Sequence, residues 1–173
     1  MEPTLDRIFL DCSVRRLNEL ASRIDDCLGR LDDGQVWFRG GDNQNAVGNL
    51  VLHLCGNVRQ WIISGVGGEA DARDRDAEFA ARGEVSGAEL VARLEETMAR
   101  ALEIVRNTTA ERLTETVRIQ GYEVSVLEAI GHVTEHFAQH TGQIVYATKL
   151  LTGADLGYYR HLSKTPAHRE KTP

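Results

Sequence analysis

Four long stretches of this sequence repeat apolar residues every three or four positions, which places those residues on one face of an α-helix. They run from Thr4 to Leu31, from Asn45 to Val66, from Ser86 through Val105, and from Ser125 to Gly153. Only a short stretch, 115–124, alternates in polarity, and we expect a hairpin or extended loop there. Four amphipathic helices with no sheet to pack against predict an all-α four-helix bundle.

The ends of these segments carry local signals. The third and fourth open with the S-x-x-E pattern of a capping box, at Ser86 and Ser125, and Gly153 suits the end of the fourth helix. A chain of 173 residues is long enough for one domain with a full core, to which we assign residues 1–162. Residues 163–173 are polar and carry two of the three prolines, which predicts a flexible tail.

Composition argues against several functional classes. The formal net charge is −6 and the basic residues form no stripe, so nucleic acid is not expected as a partner. The apolar runs are too short to span a membrane, and the first residues lack a signal-peptide pattern. Cys12, Cys27 and Cys55 have no C-x-x-C spacing, which predicts reduced thiols, small and buried, in a cytoplasmic protein.

Three histidines, His132, His136 and His140, follow one another at intervals of four residues in the fourth segment. Residues i and i+4 share a helix face, so two adjacent imidazoles can hold one metal ion. All three cannot, because His132 and His140 are roughly 12 Å apart along the axis and a metal–nitrogen bond is about 2 Å. The helical wheel turns His132 towards water, so we select His136 and His140 as ligands and place His132 beside them as a supporting residue. The alternative is three histidines without a metal.

A polar ribbon runs beside the apolar stripe of the second segment. It consists of Asn49, His53, Asn57, Gln60 and Ser64, spaced three or four apart. Because the ribbon carries no formal charges, we expect it to line a wet, enclosed cavity rather than to face bulk water. Metal sites in helix bundles are built from facing helices, which makes His53 the third ligand, unless it is a core histidine satisfied by a neighbouring amide. Gln143, one turn beyond His140, could orient a ligand imidazole or pack between helices.

Two stretches, N-L-V-L-H-L at 49–54 and H-F-A-Q-H-T-G-Q at 136–143, resemble the DinB superfamily, also called DinB/YfiT-like metalloenzymes. That family has one histidine on the second helix and H-x-x-x-H-x-G-Q on the last, and the match in helix order and spacing covers nearly the whole chain. Residues 58–62 and 73–79 further resemble an uncharacterised branch of the superfamily.

The resemblance implies an up-down-down-up four-helix bundle, commonly a homodimer, with a zinc or nickel site made by His53, His136 and His140. Its better-understood relatives are thiol-dependent: transferases that use bacillithiol, and a maleylpyruvate isomerase that uses mycothiol. We therefore expect a metal-dependent transferase that activates a low-molecular-weight thiol for attack on a small-molecule substrate. The alternative is a non-catalytic metal-binding bundle with a stress-response or interaction role.

Charged and aromatic residues outside these motifs permit further interpretations. Arg59, Arg73 and Arg75 could bind a carboxylate of a substrate or thiol cofactor, but we interpret residues 73–78 as a solvated connection whose charges pair with each other. The spacing around Glu135 is not H-E-x-x-H, which excludes a metalloprotease.

Four aromatics lie outside the helical stripes and form either a dimer face or caps on the monomer's own core: Trp37, Phe38, Tyr158 and Tyr159.

Overall fold

The computed structural model describes residues 2–162 of the chain. Within this range the long helices are α1 (Leu5–Leu28), α3 (Val47–Val58), α5 (Gly87–Asn107) and α7 (Val126–Thr152), and α3 continues as a π-helix (Arg59–Val66). Shorter elements join them: α2 (Asp33–Val36), α4 (Arg75–Ala80), α6 (Ala110–Leu113), the hairpin strands β1 (Thr116–Ile119) and β2 (Tyr122–Ser125), and a closing 3-10 turn (Arg160–Leu162). The predicted all-α bundle and its hairpin are confirmed. The expected flexible tail, 163–173, lies outside the described residues.

The helix ends follow the sequence signals. Ser86 and Ser125 each accept a backbone N–H from the glutamate three residues later, and that glutamate accepts the serine N–H in return. Gly153 ends α7 in the left-handed conformation, with φ of 67°, where a residue without Cβ is favoured. The second segment is different: after Val58 its backbone widens into a π-helix, which periodicity alone does not predict.

Contacts at the two ends of the bundle give the direction of each helix. Near α2, Gly87 donates to Asp33, Trp37 packs against Gly48, and Gln35 donates to the Leu151 carbonyl. The starts of α3 and α5 and the end of α7 therefore meet where α1 has just ended. At the opposite end, Arg7 of α1 donates to the carbonyl of Arg106 in α5. Helices α1 and α7 run one way and α3 and α5 the other, which is the up-down-down-up order.

Each long helix packs against two others: α1 and α3 both contact α5 and α7. The space between them is filled by apolar side chains that are fully buried, including Leu10, Leu17, Leu54, Ile130 and Phe137. Burying each such side chain stabilises the fold by about 1.5–3 kcal/mol. Among the described residues no helix is long and apolar enough to cross a membrane.

Because α3 and α5 run parallel, the chain between them must return along the bundle. Residues 67–86, which we call the crossover, make this return and contain α4, which packs against α3. The crossover places α4 next to the histidine of the second helix.

The aromatics outside the stripes divide into two kinds. Trp37 donates its indole N–H to the Val85 carbonyl, and Tyr158 packs against the core beside Cys27, so both cap the monomer's own core. Phe38 and Tyr159 remain exposed, at 56% and 53% of their surfaces. Of the four aromatics, only the second pair is left to support the predicted dimer.

Candidate metal centre

Helices α3 and α7 bring three histidines together. His136 and His140 stand one turn apart on α7 with ring centroids 4.5 Å apart, and the His53 ring of α3 lies 5.0 Å from each of them. The Nε2 atoms of His53 and His136 are 3.1 Å apart, and one ring nitrogen of each histidine lies within 4.8 Å of the others. The residues selected from the sequence therefore meet across the bundle.

These distances suit a shared ion. Two nitrogens that each bind one zinc-like ion at about 2 Å are separated by about 3.3 Å in a tetrahedral arrangement. The 3.1 Å between the His53 and His136 nitrogens is close to that value. The donor set of three neutral nitrogens fits zinc, nickel and similar divalent ions.

Hydrogen bonds direct two of the rings towards the same point. His53 Nδ1 lies 3.0 Å from a carboxylate oxygen of Glu78 and 3.1 Å from a guanidinium nitrogen of Arg73. Because that guanidinium nitrogen donates to the same carboxylate oxygen at 2.8 Å, we assign the Nδ1 proton to the hydrogen bond with Glu78. His140 Nδ1 lies 2.7 Å from the amide oxygen of Gln143, which fixes the same tautomer. Both Nε2 atoms are then left with a free lone pair, the state in which histidine binds a metal. Gln143 thus orients His140, one of the two roles expected for it.

Glu78 is itself held by Arg73. The guanidinium donates to both carboxylate oxygens, at 2.7 and 2.8 Å, and the two side chains are only 3% and 9% exposed. Burial opposes ionisation of Glu78, but hydrogen bonds from Arg73 and His53 outweigh it and lower the carboxyl pKa. The solvated connection predicted for residues 73–78 is therefore wrong at these two positions, because the ion pair is buried against α3.

Gly56 makes room for this pair. A Cβ at position 56 would lie 1.8 Å from Glu78 Oε1 and 3.0 Å from Arg73 Nε. Only glycine lets the carboxylate approach α3 closely enough to reach His53, one turn earlier.

The imidazoles of His136 and His140 are in their uncharged form near neutral pH. Burial, together with the positive charge that His140 and His53 would carry, lowers the pKa of His136 to about 3. Burial also lowers the pKa of His140, against the opposing effect of the hydrogen bond that its ring donates to Gln143. His136 and His140 therefore do not have to lose a positive charge before they bind an ion at pH 7.

His53, His136 and His140 form what we call the trio. His132 lies outside it but is not turned to water. Its ring is half-buried and stacks on Trp61, with centroids 4.1 Å apart, and lies 5.7 Å from the His136 ring. The helical wheel misplaced it because the π-helix that carries Trp61 covers this part of α7. On the other side of the trio, the Phe79 ring lies 4.7 Å from His53. Aromatic rings therefore flank the trio on both sides.

Two amides of the polar ribbon in the second helix bind the crossover. Asn49 is fully buried and donates to the carbonyls of Glu78 and Ala81. Gln60 donates to Asp71 and accepts from Arg73. The ribbon amides bind the crossover, which explains why they are uncharged. Asn57 is the exception, since its buried Oδ1 has no hydrogen-bond partner in the described chain.

Sequence reasoning missed Arg73, Glu78 and Phe79 as parts of this site. Charged residues in a connecting segment normally indicate solvent exposure, and nothing in residues 73–79 indicates that they fold back onto α3. The available signal was Gly56, which lies in the second helix three residues after His53 and permits the close approach of a neighbouring segment.

Comparison with known proteins agrees with this architecture. The family described as "Protein of unknown function (DUF1572)" matches residues 4–165. No curated protein matches the sequence significantly. The family match covers most of the chain and includes all three histidines of the trio.

Several solved structures share the fold. YfiT from Bacillus subtilis, described as a probable metal-dependent hydrolase with an unusual four-helix bundle topology, has a TM-score of 0.70 and 16% identity over 87% of this chain and 90% of that one. A DinB-like protein from Bacillus cereus has a TM-score of 0.66 and 14% identity over 80% and 90%. A mycothiol-dependent maleylpyruvate isomerase has a TM-score of 0.62 and 16% identity over 80% and 67%. The chain belongs to the DUF1572 family and has the four-helix bundle fold of the DinB superfamily.

Proposed function

We propose that His53, His136 and His140 bind one divalent metal ion, zinc or nickel, and that the protein is a metal-dependent enzyme acting on a small molecule with the help of a low-molecular-weight thiol. The observation that carries the proposal is the convergence of ring nitrogens from two helices, with the His53 and His136 nitrogens 3.1 Å apart. Three protein ligands leave a coordination position open, as in catalytic sites.

The surrounding residues suit this role. Glu78 and Gln143 hold two of the imidazoles so that their Nε2 atoms face the shared point. His136 and His140 are half-buried, so a substrate can approach them from solvent. When bound, the ion supplies Lewis acidity, which lowers the pKa of a thiol or a water molecule beside it.

Two comparisons suggest different reactions. The maleylpyruvate isomerase with the same fold is mycothiol-dependent, and YfiT is described as a probable metal-dependent hydrolase. We favour the thiol-dependent transferase. Hydrolysis is the second candidate, and a non-catalytic metal-binding bundle is the third.

One experiment separates the three. The purified full chain, loaded with zinc or nickel, is incubated with 1-chloro-2,4-dinitrobenzene and a panel of thiols, and separately with p-nitrophenyl esters without thiol. Thiol-dependent turnover that is lost in His136→Ala supports the transferase. Ester cleavage without thiol, lost in the same variant, supports the hydrolase. Stoichiometric metal without turnover in either assay supports the non-catalytic bundle, and absence of metal from the folded protein contradicts the metal site.

We also propose a homodimer in the cytoplasm. The exposed Phe38 and Tyr159 supply apolar surface for a partner copy, and Cys12, Cys27 and Cys55 form no disulfide within residues 2–162, as in a reducing compartment. Light scattering at micromolar concentration should report twice the mass of the chain, and a monomer would contradict the dimer.

A further inference from the structure

Three buried polar atoms near the trio have no hydrogen-bond partner within residues 2–162. They are Oδ1 of Asn57, the indole Nε1 of Trp61 and Nδ1 of His136. The side chains of Asn57 and Trp61 belong to residues that are only 4% and 5% exposed. A buried polar atom without a partner is costly to the fold and is rare in native proteins. Three of them on two facing helices therefore indicate a function that the fold itself does not need.

The register of α3 and α7 places these atoms at one level of the bundle. The two helices run in opposite directions, so successive turns of one face successive turns of the other. The His53 ring lies 5.0 Å from that of His136, and the Trp61 ring lies 4.1 Å from that of His132. Asn57 comes four residues after His53 and four before Trp61, on the same side of the helix. Its side chain therefore faces the turn of α7 between His132 and His136.

The three atoms also match in number and kind. An indole N–H can only donate, whereas an amide oxygen accepts two hydrogen bonds through its two lone pairs. When Nε2 of His136 binds an ion, the proton of the neutral ring is on Nδ1, which then donates as well. Two donors and one oxygen with two lone pairs leave no group without a partner.

The other two proposed ligands already have an orienting oxygen. The Glu78 carboxylate lies 3.0 Å from His53 Nδ1, and the Gln143 amide oxygen lies 2.7 Å from His140 Nδ1. His136 is the ligand whose Nδ1 has no such contact. Because metal-binding histidines almost always donate their second ring nitrogen to an oxygen, the site needs one more acceptor at His136.

We propose that Asn57 is the positioning residue of His136. Its Oδ1 accepts the Nδ1–H of the imidazole, directly or through one bridging water, and so directs Nε2 towards the other two ligands. The same oxygen accepts the indole N–H of Trp61, which keeps the amide from turning away. This inference rests on the proposed metal site and names the group that orients its third ligand.

Two variants of the full chain test the role of the oxygen, with zinc affinity measured by competition with a chromophoric chelator. Asn57→Leu keeps the branched shape of the side chain but removes the oxygen, so the affinity should fall by about 10–100-fold. Asn57→Asp keeps an oxygen without the amide N–H, and should bind zinc at least as tightly as the unsubstituted chain. If the amide only supported the packing, Asn57→Asp would not rescue binding.

The matched control is Thr148→Val. It also replaces a buried polar group by an apolar one of the same shape, on α7 about two turns beyond His140. The Thr148 hydroxyl donates to the Ile144 carbonyl of its own helix, away from the trio. Zinc affinity should therefore stay unchanged in this variant.

Nuclear magnetic resonance of the zinc-loaded, unsubstituted chain gives a measurement that does not depend on the folding of a variant. Long-range 1H–15N spectra should place the proton of the His136 ring on Nδ1, with a nuclear Overhauser effect between that proton and the Asn57 side-chain amide. A proton on Nε2, or contacts of the Nδ1 proton with other side chains only, overturns the proposal.

The affinities can overturn it as well. Unchanged zinc affinity in Asn57→Leu, equal losses in Asn57→Leu and Asn57→Asp, or an equal loss in Thr148→Val each contradict the role of Asn57 while leaving the metal site intact. A folded, unsubstituted chain that binds no zinc or nickel contradicts the proposed function, and this inference falls with it. The two failures are thus distinguishable.

Discussion

Helices α7 and α3 supply the proposed ligands in different ways. α7 is a regular helix of 27 residues with a capping box at its start and a left-handed glycine after its end, and one turn separates its two histidines. α3 contributes a single histidine whose orientation depends on Glu78 and Arg73, which lie 25 and 20 residues away. One side of the site is thus set by local helix geometry and the other by long-range packing of the crossover.

The contrast teaches that the two sides should respond differently to mutation. On α7 a single side chain can be removed while the helix stays in place. On α3 the ligand can also be lost through substitutions elsewhere in the chain. Changes at Glu78 or Arg73 would release His53 from its orientation without altering the histidine itself. The predictions below test this contrast, from the largest expected effect to the smallest.

Removal of a ligand should have the largest effect. His53→Ala, His136→Ala or His140→Ala should abolish stoichiometric binding of a divalent metal, whereas His132→Ala should retain most of it. His132 is not expected to bind the ion, because its ring packs on Trp61 and lies outside the group of three histidines. Elemental analysis of the four folded variants measures this. Complete loss in His132→Ala together with retention in His140→Ala would move the site one turn earlier on α7.

Weakening the support of His53 should have the next largest effect. Glu78→Gln keeps an acceptor but removes the charge that fixes the His53 tautomer and pairs with Arg73. We expect metal affinity to fall by about 10–100-fold, as for other residues that orient a ligand imidazole. Competition with a chromophoric chelator measures the affinity.

The matched control for this variant is Asp76→Asn, an exposed carboxylate in the same short helix. It should leave the affinity unchanged. Equal losses in the two variants would mean that general charge, and not the orientation of His53, is responsible.

Gly56→Ala tests the contact between Glu78 and His53 by adding a side chain to α3 at the position where Glu78 approaches it. The new Cβ would meet the Glu78 carboxylate at 1.8 Å, so the buried pair must shift. We expect the free energy of unfolding to fall by about 1–3 kcal/mol, the range for overpacked cores. Chemical denaturation measures this change, and the metal affinity should fall with it.

Gly131→Ala is the contrasting substitution on α7. A Cβ there meets nothing within 4 Å, and alanine favours the helix, so the variant should be more stable by about 0.5–1 kcal/mol. If both substitutions stabilised the protein, the close approach of Glu78 to α3 would be refuted.

The smallest effect on metal binding is expected at the end of α7. Gly153→Ala forces a side chain into the left-handed region at φ of 67°, at a cost of about 1–2 kcal/mol. The histidines lie more than two turns earlier, so metal affinity should stay the same while thermal stability falls. A parallel loss of affinity would show that the α7 ligands also depend on distant structure.

The sequence predicted what depends on short-range geometry. The capping boxes, Gly153 and the pair His136 and His140 follow from spacing along one helix, and each is found as expected. The choice of His53 needed the additional premise that helices face each other in a bundle. The buried position of Arg73 and Glu78 beside His53 could not be predicted from spacing, because charged residues are buried only when the tertiary fold supplies partners for them. The π-helix after Val58 likewise reflects packing and not periodicity, and it changes the environment of His132.

The separation of the ligands along the chain has a consequence for folding. His53 and His136 are 83 residues apart, whereas the pair on α7 needs only one turn of helix. An ion can therefore associate weakly with that pair before α3 has docked, and all three ligands exist together only in the native state. Under the proposed metal site, the difference between these two affinities is free energy added to folding by mass action. The supply of metal during synthesis would then help to set what fraction of the chains reaches the native bundle.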